Sequence, residues 1–213
     1  MMRNNEEDEI GKKIQSELQP FLTGIRNADV NSKEYKLFKA AYVDFRERHE
    51  HTKEIRGYPM KGLFAKTHMV KDSIQWMFSY LGLVESLGNA LADVLIMLLV
   101  ANGIDFHIER SSKFPRIKHA LTMKDLEDEW VPLAVKLNFL RENGISTLSS
   151  IVDTRTRNDI AHMRFKVKGN QVIIKGKPVE ESLLESETKL LHASNIVTAL
   201  LDKSAIKRIA RKT

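Results

Sequence analysis

The 213-residue chain contains no cysteine. Disulfides, thiolate zinc sites and cysteine nucleophiles are therefore excluded, and a reducing, cytoplasmic setting fits. There is no internal repeat and no low-complexity tract. The opening MMRNNEEDEIGKK is polar and acidic, lacks an apolar core, and does not read as a secretory signal. One apolar run, Ile74 to Ala101, is long enough to span a bilayer. Within it Glu85, Asn89 and Asp93 recur every four residues and so share one helical face. A carboxylate at a bilayer centre costs at least ~2.5 kcal/mol, so a buried core helix with one polar stripe is expected, and no membrane partner. No metal and no cofactor are expected either. Arg48-His49-Glu50-His51 invites a metal ion, but histidines two apart on a helix point in different directions, and a solvated charged face is the reading. His68, His107, His119 and His192 stand alone.

What is present is a modest excess of positive charge, +6 with a pI near 9.4. Such a balance favours anionic partners, nucleic acid first among them. Part of it lies in a basic tail, residues 203–213, through Lys203, Lys207, Arg208, Arg211 and Lys212. This is either a solvated helical end or a phosphate-tracking arm.

Apolar spacing predicts a mainly α chain, an up-and-down helical bundle with a small β-hairpin before the last helix. Residues 1–12 are expected to be disordered, and 13–202 to form one domain. A first helix is expected over Lys13–Gly24. A longer one covers Ser32–Arg56, with Tyr35, Phe38, Ala41, Tyr42 and Phe45 at helical spacing, Ser32 as half of a capping box, and Gly57-Tyr58-Pro59 as its end. These aromatics, with Trp76 and Phe78, read as core. The long apolar helix spans His68–Asn102 and stops at Gly103; Gly82 and Gly88 inside it would admit another backbone. Residues 104–120 read as a connection, Met123–Trp130 and Pro132–Asn143 as helices, the latter ending at Gly144. Thr147 or Ser146 caps the next helix, which runs through Leu148, Ile151 and Val152 into a charged cluster. Then FKVKGNQVIIKGKPV alternates apolar and polar residues around Gly169-Asn170, a two-stranded hairpin at about 164–179. The last helix begins near Glu180 and buries Leu183, Leu190, Ser194, Val197 and Leu201.

The charged cluster is Arg155-Thr-Arg-Asn-Asp-Ile-Ala-His162. Without cysteine or an evident metal set, histidine is the natural general acid or base, because its unperturbed pKa of ~6.5 lets it move protons at neutral pH. Cleavage of RNA by its own 2′-hydroxyl needs such a group and a cation on the crowded phosphorus. The guanidinium fork suits the latter, since it grips phosphate oxygens in pairs and stays charged. A solvated helix terminus is the bland alternative.

Arg157-Asn158-x-x-x-His162 resembles the R-x4-6-H motif of HEPN domains, in which a polar residue, often asparagine, follows the arginine. An all-helical context, a long apolar helix with an internal acidic residue upstream and a motif late in the chain agree with it. The similarity covers roughly residues 74–165. It implies a four- or five-helix bundle that dimerises through its motif-bearing helices, so that two motifs share a cleft. It implies a metal-independent ribonuclease acting on RNA, in some members a toxin held by an antitoxin protein. By that resemblance His162 is the acid/base, Arg157 the phosphate-binding residue and Asn158 the orienting group.

Ideal helix geometry complicates this. At 100° per residue Arg157 and His162 lie about 140° apart, whereas Asn158 shares a face with His162. So does Arg155, and Arg155-x6-His162 also fits the loose motif; Arg155 is the understudy. Either the helix unwinds near Ala161 or Arg157 serves a partner subunit. Arg155 and Asp159 are spaced for an i,i+4 ion pair, a structural role for Asp159. Glu85, Asn89 and Asp93 would hold the motif arginine, face the dimer cleft, or simply pair inside the bundle.

Overall fold

Runs of apolar residues at three- and four-residue spacing dictate a helical molecule, and the computed structural model is mainly helical. It describes residues 4–56, 70–109, 117, 119–128, 131–169, 171–174 and 176–209. Among these, the chain forms α1 (Asn4–Asn27), α2 (Lys33–Arg56), α3 (Val70–Leu83), a π-helical turn (Val84–Gly88) and α4 (Asn89–Val100). Four short helices follow, α5 (Met123–Glu127), α6 (Leu133–Glu142), α7 (Thr147–Ile151) and α8 (Thr154–Ala161). A small sheet of β1 (Lys166–Lys168), β2 (Gln171–Ile174) and β3 (Lys177–Pro178) then leads into α9 (Glu180–Ile209).

The long apolar run is the centre of the fold. Met77–Val100 has the length and composition to cross a bilayer, yet 72% of its most apolar window is buried inside the protein. It is a core helix, packed against α2 and α6. α1 buries Ile14, Leu18, Leu22 and Ile25 and lies along α9. α9 in turn buries Leu183, Leu190, Ser194, Val197 and Leu201, the stripe its sequence spacing predicts. Ser32 caps α2, its hydroxyl accepting from the Tyr35 N–H at 3.1 Å. Gly103 and Gly144 end α4 and α6 at φ +85° and +87°, where a side chain would be strained. In both places the next two N–H groups turn back onto the last helical carbonyls, a Schellman cap.

Several expectations give way. α1 starts at Asn4 rather than after a disordered 1–12. The central helix is interrupted by the π turn, which inserts an extra residue and shifts the faces on either side of it. Gly82 faces open space, and a Cβ at Gly88 would meet only side-chain carbons at ordinary contact distance, so neither admits a backbone. The close approach occurs at Gly24 instead: a Cβ there would run into the Asn102 side chain, whose amide donates to the Phe21 carbonyl at 3.1 Å. The hairpin has a third strand, in the order β1-β2-β3, because Gly176 at φ +82° turns the chain once more. Phe38 and Phe45 are core, but Phe78 is 42% exposed. The Trp76 side chain, Gly57-Tyr58-Pro59, His68 and Trp130 lie outside the described residues. His49 is the largest departure. It is buried, with its Nδ1 3.0 Å from the Ser194 hydroxyl of α9, so one member of the Arg48–His51 run is a core residue rather than part of a solvated face.

Candidate active site on the Arg157–His162 helix

The motif occupies its own two-turn helix. The expected continuous helix from Thr147 is broken at Val152, where the backbone turns extended (ψ 102°). Asp153 then starts α8 afresh, its carboxylate accepting from the N–H groups of Arg155 and Thr156 at 3.0 Å each and from the Thr156 hydroxyl at 2.6 Å. That is an N-cap satisfying donors a helix start leaves open. α7 is not capped by its own Ser146 or Thr147 side chain. Glu17 of α1 reaches across and accepts from both their N–H groups at 3.1 Å. The two short helices are thus separately seated, and Ile160 of α8 is fully buried while α8 packs on α3.

Arg157 points at the central helix. Its guanidinium forms an ion pair with Glu85 on the π turn, and Nη1 donates to Asn158 Oδ1 at 2.6 Å. Asn89 sits behind Glu85, its amide donating to the Glu85 carbonyl at 2.9 Å and standing 3.4 Å from the carboxylate. The Arg157 Nε is buried and finds no acceptor among the described residues. Burial holds the Arg157 guanidinium below its usual pKa, because low polarity disfavours the charged form. Of the three roles the sequence left open for Glu85, the structure shows a pairing inside the bundle, and its partner is Arg157. The polar stripe divides here, since Asp93 pairs instead with Lys136 of α6 at 2.7 Å. Lys136 is itself buried and was missed in the sequence. Its signal is its place on the Leu133–Lys136–Leu137–Leu140 face, where a lysine must meet an acid.

His162 stands at the end of α8. Its N–H still bonds to the Asn158 carbonyl at 3.0 Å, but its φ of −96° and ψ of 14° leave the helix. Met163 follows at φ +53°, and the Met163 and Arg164 N–H groups return to Ile160 and Asp159 at 3.0 and 2.7 Å. This is a third Schellman cap, built without glycine. The helix therefore ends at Ala161, the first of the two alternatives the wheel mismatch left open, without a hydrogen bond between Arg157 and His162. The imidazole is exposed and makes no hydrogen bond or ion pair among the described residues. The structure brings Arg157, Asn158 and Glu85 together and leaves His162 exposed one turn on from Asn158, with no hydrogen bond or ion pair to Arg155 or Arg157.

The remaining candidates fall into place around these. Arg155 is exposed on the first turn. Asp159 is buried and its ion-pair partner among the described residues is Arg164, at 3.9 Å, in place of the expected Arg155. In the basic tail Lys203 is exposed on α9. The side chains of Lys207 and Arg208, and Arg211 and Lys212 altogether, lie outside the described residues. Among the described residues no group of three or more His, Asp or Glu side chains is placed to hold a metal ion.

No protein-family model, no curated protein and no solved structure matches this chain.

Proposed function

We propose that the protein is a metal-independent endoribonuclease of the HEPN type, working as a homodimer whose two α8 helices share a cleft. The observation that carries the reading is the exposed His162 imidazole at the end of a helix whose Arg157 is held in a fixed position. In this account His162 takes the proton of a 2′-hydroxyl, and the 2′-oxygen attacks the adjacent phosphorus. The P–O5′ bond breaks as an imidazolium, from His162 itself or its counterpart in the cleft, protonates the leaving oxygen. The products are a 2′,3′-cyclic phosphate and a 5′-hydroxyl. Arg157 supports the charge that builds on the phosphoryl oxygens: Asn158 and Glu85 each occupy one Nη, and each Nη carries a second N–H. Glu85 is a positioning residue that fixes the guanidinium plane. Purified protein incubated with RNA in EDTA is expected to cleave it, and His162→Ala to lose the activity; equal behaviour of the two removes catalysis as an explanation.

A second reading has its own observation. The Arg157 charge is already matched by Glu85, which suits a helical module that binds RNA, a nucleotide or a partner protein without cutting. Binding without cleavage in the same assay, weakened by removal of residues 203–213, is the outcome that selects it.

A further inference from the structure

Between Ile160 and Val179 the sequence has Arg164, Lys166, Lys168, Lys175 and Lys177 and no acidic residue. The segment of the three-stranded sheet thus carries basic charge with no acid to balance it, and β1 begins within four residues of His162. All three residues of β1 are exposed. Strand alternation puts Lys166 and Lys168 on one face, paired in register with Ile173 and Gln171, while Val167 faces with buried Val172 the other way. The two lysine stems leave the strand ~7 Å apart, a step comparable to that between successive phosphates of an extended single strand. Neither lysine forms an ion pair with a described residue. β1 is also an edge of the sheet, since the order is β1-β2-β3. Met163, at φ +53°, closes the end of α8 directly after His162, and β1 starts three residues later.

We infer that the outer face of this sheet is a track for the backbone of single-stranded RNA, with Lys166 and Lys168 meeting successive phosphates of the strand that passes His162. The inference rests on the reading above for its choice of RNA as ligand, but binding and cleavage separate in the test. A 2′-O-methyl oligoribonucleotide lacks the attacking hydroxyl and cannot be cut by this chemistry. Its affinity for the full chain is measured against salt concentration, with Lys166→Gln/Lys168→Gln beside the wild type and Lys36→Gln/Lys39→Gln on α2 as a control. Each lost phosphate contact lowers the slope of log affinity against log salt by ~0.7 on single strands. The sheet variant is expected to lose about twice that and to unfold at the wild-type temperature, while the control keeps the full slope. A wild-type slope in the sheet variant, an equal loss in both variants, or no binding by the wild type overturns the track. Lysine-dependent binding by a protein that never cuts RNA leaves the track standing and ends the catalytic reading. Undiminished cleavage with lysine-independent binding does the reverse.

Discussion

The Glu85 carboxylate on the π-helical turn and the Arg157 guanidinium on α8 form an ion pair that ties the motif helix to the centre of the fold. Both side chains are about a third exposed, 38% and 29%, so the pair is worth less than a sealed one. Breaking a fully buried pair costs ~3–5 kcal/mol, and solvent screening lowers this to about 1–2 kcal/mol here. A double-mutant cycle of Glu85→Ala and Arg157→Ala, read by denaturant unfolding, is expected to show a coupling of that size. If Arg157 also serves RNA, Arg157→Lys keeps most of the stability and loses cleavage, because the ammonium lacks the fork. Additive effects in the cycle would mean that the two groups do not act together.

The cap at Met163 gives a second prediction. The same Schellman geometry is made with glycine at Gly103 and Gly144 but here with a residue bearing a Cβ, at φ +53°. The left-handed conformation costs an L-residue ~1–2 kcal/mol, against ~0.5–1 kcal/mol for the freedom glycine loses on folding. Met163→Gly is therefore expected to stabilise the protein by about 0.5–1 kcal/mol, since the 63% exposed side chain gives up little burial. Thermal unfolding tests it, and a fall in the midpoint contradicts the strain argument. Strain retained beside an exposed imidazole is consistent with a site that needs His162 turned outward.

A third prediction concerns the buried contact between α2 and α9. The Ser194 hydroxyl donates to the Leu191 carbonyl at 2.9 Å, so it accepts from the His49 Nδ1–H at 3.0 Å. Ser194→Ala removes that partner from a buried donor, and a loss of roughly 1–3 kcal/mol is expected. Ser194→Thr, which keeps the hydroxyl, restores part of it. Equal stability of all three proteins would show the contact to be idle.

Much of the bundle was legible because apolar spacing and cap chemistry are local. The Leu183–Leu201 stripe, the Ser32 cap and the Gly103 and Gly144 ends follow from neighbours a turn apart. The misses depend on partners far away in sequence. His49 looked solvated because Arg48, Glu50 and His51 surround it, and only the Ser194 contact across the fold makes it core. The π turn has no sequence signature of its own, and it sends Glu85 to Arg157 while Asp93 goes to Lys136. The start of α8 was readable after all: Asp153 with Thr156 three residues on is an N-cap pattern, hidden by the apolar run before it. The arginine and histidine of the site were named from the sequence. That Glu85 grips the first and no described residue grips the second required the structure.

The central claim is metal-free transesterification driven by His162, and the end groups of the cut RNA test it most directly. With EDTA present, mass spectrometry of a short defined oligoribonucleotide is expected to find 2′,3′-cyclic phosphate and 5′-hydroxyl ends from the wild type and intact substrate from His162→Ala. Ends bearing 5′-phosphate, cutting that appears only when a divalent ion is added, or equal cutting by the variant would contradict it.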